Sequence, residues 1–284
     1  MGKTGLIMEG GAMRGLFTAG VMDVLLENGI TFDGGIGVSA GAAFGCNYVS
    51  RQAGRVLRYN LRFCQDWRYC SLLSWIVTGD MYGAEFAFRT VPEKYDLFDA
   101  DAFEKNPMAF YCVATDLVTG RAVYHKFTDC RDKDVTWLQA SASLPIFARP
   151  VKVDGRMLLD GGLTDAIPLS YFESIGYDRN VVILTRSLSY RKEPLGKATM
   201  AAVELALRRY PLAVQSIRDR YRMYNDEVHY IRQREEEGAA FVIRPFAEVN
   251  IGSVCHDRKE LRRVYGMGRE SAEERLDALR EFLA

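Results

Sequence analysis

The sequence predicts an α/β fold with a mainly parallel central sheet crossed by helices. Three observations carry that expectation. Residues 5–49 alternate between short apolar runs and helical patterns, in the order strand, helix, strand, helix. Short apolar runs bounded by turn residues recur through the rest of the chain as far as Ile243. The composition, 48% hydrophobic and 26% charged over 284 residues, is that of an ordinary globular protein of one large domain or two small ones.

Gly5 to Glu9 is the first strand, and it enters a Gly-rich turn. From Gly15 to Glu27, Phe17, Val21, Val24 and Leu25 recur at helical spacing, and Asn28-Gly29 supplies the stop. Ile36 to Val38 is the second strand, followed by a small-residue helix from Ala40 to about Val49. Residues 51–106 are rich in aromatics, Tyr59, Phe63, Trp67 and Phe86 among them, and read as helices and loops laid over the sheet. Strands follow at Met108–Ala114 and Ala122–Phe127, with Thr119-Gly120 in the turn between them. Met157–Leu159 runs into Asp160-Gly161-Gly162, and Val181–Thr185 is a further strand. Residues 197–236 are helical by propensity, with Pro211 starting a new helix, and Phe241–Ile243 is the last strand. The tail from Asp257 to Leu283 reads as a charged amphipathic helix interrupted near Gly266 and Gly268. No linker or repeat divides the chain. A single domain over residues 1–284 is expected, with a core of about 4–190, an aromatic helical insertion of about 51–106 and a helical C-terminal region of about 197–284.

Composition excludes several classes. Lys and Arg number 37, as do Asp and Glu, so the basic excess of a general nucleic-acid binder is missing. The six cysteines form no C-x-x-C pair and no zinc spacing, which favours a reducing compartment. Glu9 and Arg14 interrupt the N-terminus before a signal-peptide core can form. The least charged stretch, Gly34 to Ser50, contains Asn47 and reads as a buried strand–turn–helix. A soluble cytoplasmic enzyme is the expectation, and nothing in the residues calls for a metal or a cofactor.

Three elements carry chemistry. Gly37-Val38-Ser39-Ala40-Gly41 is a G-x-S-x-G sequence between a strand and a helix. That context exposes the Ser39 hydroxyl on a sharp turn, while Gly37 and Gly41 allow close backbone packing. The helix behind it favours developing negative charge. Gly10-Gly11-Ala12-Met13-Arg14-Gly15, also between strand and helix, exposes backbone N–H groups that can form an oxyanion hole, with Arg14 adding charge or bracing the loop. Nucleotide binding is disfavoured there. The dinucleotide pattern fails at Ala12, and the phosphate-loop pattern fails because Leu16-Phe17 follow Gly15. Asp160-Gly161-Gly162 places a carboxylate at a strand end. His125, His229 and His256 all lie outside strand-end loops, so a Ser39–Asp160 dyad fits better than a triad. A carboxylate can deprotonate a hydroxyl only where the site is partly desolvated and the oxyanion is held, so the Gly-rich loop is part of the requirement.

These elements, in this order, resemble the bacterial patatin-like phospholipases. Ala140-Ser141-Ala142-Ser143-Leu144-Pro145 also resembles the family's segment before the aspartate. The resemblance covers about residues 4–190 and implies a three-layer α/β/α sandwich. It implies Ser39 and Asp160 as the catalytic pair, Gly10, Gly11, Ala12 and Arg14 at the oxyanion hole, Gly37 and Gly41 in the elbow, and Gly161 and Gly162 in the aspartate motif. It further implies hydrolysis of phospholipid or related acyl esters. The aromatic stretch 51–106 is compatible with an acyl-chain channel or lid, but ordinary core is the better reading. Ala12 departs from the common third glycine, and the loop keeps its function if that position does not need positive φ. The alternative is a catalytically weak lipid-binding or regulatory protein of the same fold, against which intact Ser39 and Asp160 argue. Arg258, Lys259, Arg262 and Arg263 could touch anionic headgroups at a membrane surface, but interleaved acids make a solvated helix face the better reading.

Overall fold

The computed structural model describes residues 2–284. Its strands are β1 (Lys3–Met8), β2 (Gly34–Val38), β3 (Ala109–Asp116), β4 (Arg121–Lys126), β5 (Val151–Val153), β6 (Arg156–Asp160), β7 (Tyr177–Ile183) and β8 (Ala240–Ile243). They form one eight-stranded sheet, ordered β5-β6-β3-β2-β1-β7-β8 with β4 also on β3. Pairing is parallel from β3 through β2, β1 and β7 to β8. It is antiparallel where β4 and β6 meet β3 and where β5 meets β6. The mainly parallel sheet thus carries an antiparallel margin, which includes β5, a three-residue strand the apolar pattern does not reveal.

Strand side chains alternate between two cores, as the period of two requires. Leu6, Met8, Val181 and Ile183 enter one, and Ile7, Val38, Val182 and Val242 the other. Helices cover both faces. They are α1 (Gly15–Glu27), α2 (Ala40–Val49), α3 (Arg55–Phe63), α4 (Leu72–Thr78), α5 (Ala100–Lys105), α6 (Asp132–Ser141), α7 (Leu169–Ser174), α8 (Lys197–Ala206), α9 (Pro211–Glu236), α10 (Arg258–Glu273) and α11 (Leu276–Leu283). A π-helical stretch spans Phe86–Tyr95. Residues of α1, α2, α3, α6, α10 and α11 join the first core, and residues of α7 and α9 the second. The result is a three-layer α/β/α sandwich.

Two local expectations change. The α1 helix is buried from Gly15 through Leu25 rather than along one stripe, because it lies between the sheet and α10. The tail helix is not interrupted at Gly266 or Gly268; α10 runs through both and ends at Glu273. Gly268 is a crossing contact, since a Cβ there would stand 2.0 Å from the Phe17 carbonyl oxygen, and one on Gly20 would stand 2.1 Å from that of Tyr265. The basic tail residues are partly spent on the protein. Arg263 pairs with Glu260 at 2.8 Å, and Arg258 donates to the Leu61 carbonyl at 2.9 Å.

The register of β3 positions the site. Its residues 111–116 hold β4 along one edge. The other edge holds β2 up to Val113, which pairs with Val38, and then β6 from Ala114, which pairs with Asp160. The C-terminal ends of β2 and β6 therefore meet on consecutive residues of β3. Ser39 and Asp160, far apart in sequence, leave the sheet at the same point.

Candidate active site

Ser39 is the single residue between β2 and α2. Its backbone lies at φ 55° and ψ −122°, a conformation sparsely populated by residues with a Cβ and typical of strained functional turns. Only glycine fits on either side. A Cβ on Gly37 would stand 2.4 Å from the Ala42 nitrogen, and one on Gly41 would stand 2.3 Å from the Met8 carbonyl oxygen. The Ser39 N–H donates to Ser141 Oγ at 3.0 Å.

Asp160 ends β6 and is buried. Its N–H donates to the Ser143 carbonyl at 2.8 Å, and its Oδ1 accepts the Gly162 N–H at 2.8 Å. Ser141 and Ser143, on one short run, thus brace both residues. Oδ2 is buried and has no hydrogen-bond partner. Burial raises the Asp160 carboxyl above the ordinary carboxylate range, and it outweighs the opposing pull of Arg220, the Ser39 hydroxyl, the Gly162 N–H and Lys192. Ser39 and Asp160 line the same small cavity.

The Gly-rich loop follows β1. Ala12 has φ 47°, so this position does use the left-handed region, and alanine there costs about 1 kcal/mol relative to glycine. The Arg14 N–H donates to the Gly11 carbonyl at 3.0 Å and is spent inside the turn. What Arg14 offers is its guanidinium. Among the described residues, no acceptor takes the N–H groups of Gly10, Gly11 or Ala12. Glu9, just before the loop, is buried, accepting from the Tyr224 hydroxyl at 2.8 Å and from the Thr185 N–H.

Two cavities meet at Ser39. The larger, about 570 Å³, is lined by Ala43, Phe44, Tyr59, Phe88 and Leu138 among others. From the aromatic segment, Tyr59, Tyr69 and Phe98 line this cavity, and Tyr59 and Tyr69 also belong to the core with Phe63, Phe86 and Phe103. The smaller, about 160 Å³, is lined by Asp160, Gly11, Arg14, Arg186, Lys192 and Arg220 with Glu9 and Tyr224. No histidine lines either cavity. His125 Nε2 instead lies 2.7 Å from Asp134 Oδ1, and its ring stacks on Trp137. Lys192, Arg220 and Tyr224 escape the sequence reading because no local motif marks them, whereas Glu9 opens the Gly-rich element that the sequence does mark.

A strand–serine–helix elbow and a buried carboxylate thus meet at one point of an α/β/α sheet. The chain belongs to the patatin-like phospholipase family, whose model matches residues 6–173. A second model, a domain of unknown function (DUF6363), matches residues 210–284. Lysophospholipase nte1 of Aspergillus niger is 31% identical over 186 residues, covering 62% of this chain and 11% of that protein. Lysophospholipase NTE1 of Saccharomyces cerevisiae is 30% identical over 179 residues, covering 61% and 10%. The matched segment is thus about a tenth of the length of these fungal relatives. The crystal structure of VipD from Legionella pneumophila aligns with a TM-score of 0.46 at 11% identity, over 98% of this chain and 67% of that one.

Proposed function

We propose that this protein is a serine acyl hydrolase that cleaves a carboxylic ester of a lipid, of phospholipase or lysophospholipase type, through an acyl-Ser39 intermediate. One observation carries the reading: Asp160 Oδ2 is buried without a partner in the small cavity it shares with Ser39, and Ser39 also lines a 570 Å³ cavity with a largely apolar lining. Asp160 accepts the Ser39 proton as Oγ attacks the ester carbonyl. The oxyanion forms against the N–H groups of Gly11 and Ala12, with the α2 N-terminus behind. Collapse expels the alcohol, which takes the proton from Asp160. Water then gives a proton to Asp160 and attacks the acyl carbonyl. The second collapse releases the fatty acid and returns the proton to Ser39. The lysophospholipase names of the relatives support the same class of substrate.

The reading includes peripheral contact with a lipid surface. No helix among the described residues is long and apolar enough to cross a membrane. Support for contact comes from α4, which exposes Leu72, Leu73, Ile76 and Val77.

The test is a lipid-panel hydrolysis assay on wild type and Ser39→Ala, with fluorophosphonate labelling alongside. The variant should lose at least about 10³-fold in turnover and all labelling at this position. Wild-type turnover in a folded Ser39→Ala protein removes Ser39 as the nucleophile. Complete loss in His125→Gln, His229→Gln or His256→Gln, with Asp160→Asn active, transfers the base to a histidine.

A further inference from the structure

Four cations surround the 160 Å³ pocket that opens onto Ser39, namely Arg14, Arg186, Lys192 and Arg220. Arg186 pairs with Glu248, whereas Arg14, Lys192 and Arg220 have no carboxylate at ion-pair distance among the described residues. Arg14 Nε is buried without a hydrogen-bond partner. Arg220 Nε donates to the Gly162 carbonyl at 2.5 Å, which sets its guanidinium over the turn that follows Asp160. Lys192 Nζ lies 4.3 Å from the centre of the Tyr224 ring, and Asn225 clamps the Lys192 peptide with bonds of 2.9 and 3.1 Å. Burial, followed by the repulsion of Arg220, pulls the Lys192 pKa down to about 8. Like charges gathered in a half-buried pocket are costly unless an anion joins them. Glu9 and Asp160 are the carboxylates of the lining, and two negative charges against Arg14, Lys192 and Arg220 leave one positive charge unmatched.

The geometry points to an anion subsite beside Ser39, in which Arg14, Lys192 and Arg220 hold a phosphate carried by the alcohol portion of the substrate. The inference rests on the acyl hydrolase reading and narrows its substrate class. The scissile ester lies within a short linker of a phosphate, as in an acylated glycerol phosphate, and neutral glycerides are disfavoured. At about 160 Å³ the pocket is far smaller than the 570 Å³ cavity beside it, the scale of a headgroup rather than an acyl chain. Two guanidinium groups and one ammonium suit phosphate oxygens in charge and in donor number. Lys192 lies beyond the matched phospholipase segment, and Arg220, Tyr224 and Asn225 lie in the 210–284 region of unknown function. The α9 helix thereby supplies recognition to chemistry carried by the sheet.

The experiment is calorimetric titration of full-length Ser39→Ala protein with glycerol 3-phosphate, inorganic phosphate and glycerol. Glycerol 3-phosphate should bind and glycerol should not. Adding Lys192→Gln or Arg220→Gln should weaken glycerol 3-phosphate at least about ten-fold, while Lys192→Arg, which keeps the charge, retains binding. Tighter binding of glycerol 3-phosphate than of inorganic phosphate assigns the site to a lipid headgroup, and the reverse order overturns that assignment in favour of free phosphate. Equal affinity for glycerol and glycerol 3-phosphate, or unchanged affinity in both Gln variants, overturns the subsite. Thermal melting reports the folding of each variant. In protein with Ser39 intact, Arg220→Gln should lower the kcat/KM ratio of an acylglycerol phosphate over the matching neutral monoacylglycerol at least about ten-fold. An unchanged ratio overturns substrate selection by Arg220. If glycerol 3-phosphate binds while every ester stays inert, the hydrolase reading fails and the anion site stands.

Discussion

Asp160 has opposing demands placed on it. As a base it must be ionised, yet burial favours its neutral form and lifts its pKa above the usual carboxylate range. Among the groups that pull the other way, Arg220 is the strongest and Lys192 the weakest. Removing the Arg220 charge leaves burial less opposed, so Arg220→Gln should move the acid limb of kcat to higher pH, and Lys192→Gln should move it less in the same direction. A pH–rate profile on a neutral ester checks this, and an unmoved limb in Arg220→Gln would sever Arg220 from the base. The linkage has a definite sign. A carboxyl whose folded pKa is raised adds stability below its unfolded value near 3.9, and loses that contribution as pH rises through the folded value. At neutral pH the ionised Asp160 is therefore a cost of function. Asp160→Asn should lose turnover by about 10²–10⁴-fold while melting higher than wild type at pH 7, an advantage that fades towards pH 3.

The elements show what a local pattern can and cannot carry. Both strand–turn–helix units at the N-terminus are legible because each is fixed by neighbouring residues: apolar run, glycine turn, helix. The elbow at Ser39 is legible for the same reason, down to its two close-packed glycines. Glycine inside a helix is ambiguous, since weak propensity and close approach look alike in sequence. The structure separates the two cases within α10. A Cβ on Gly268 would strike the Phe17 carbonyl, and a Cβ on Gly266 would meet nothing within 4 Å. Gly268→Ala should cost about 1–3 kcal/mol through overpacking of α1 against α10, and Gly266→Ala should gain up to about 1 kcal/mol from propensity. Equal melting temperatures for the two variants would dissolve the crossing-contact account. The pairing of Ser39 with Asp160 was legible only as motif order, because it depends on β2 and β6 sharing one edge of β3. Lys192 and Arg220 were not legible at all. Lys192 follows Arg191, and Arg220 stands between Arg218 and Arg222, so nothing marks either among its neighbouring cations. Only the folded chain brings Lys192, from the loop before α8, and Arg220, from α9, to the pocket at Ser39.

At the scale of the molecule, α4 carries an exposed apolar face. Leu72 and Ile76 are 66% and 75% exposed, with Leu73, Trp75 and Val77 beside them. A cluster of that size on a surface helix marks a contact site rather than scattered exposure. The helix is stitched to the run that braces the site. Trp75 Nε1 donates to the Ile146 carbonyl at 2.9 Å, and the Met81 N–H donates to Phe147 at 2.7 Å. Two and three residues before Ile146 stand Leu144, which lines both cavities, and Ser143, which holds Asp160. A lipid surface touching α4, as proposed above, would lie next to the segment whose Leu144 lines both cavities. Trp and aliphatic side chains on a short surface helix suit the headgroup boundary of a bilayer, where a ring can stay hydrogen-bonded at one edge. The exposed Arg149, ion-paired with Asp80 at 3.2 Å, stands on the same loop. The tail cluster is a weaker candidate because Arg263 and Arg258 already have partners on the protein. Replacing Trp75 and Ile76 together by Ser should therefore reduce co-sedimentation with phosphatidylcholine–phosphatidylglycerol vesicles at least about ten-fold. Replacing Arg258 and Arg262 by Gln should reduce it less. Equal vesicle binding by wild type and the Trp75/Ile76 variant, with melting curves confirming the fold, would move the lipid-facing surface away from α4.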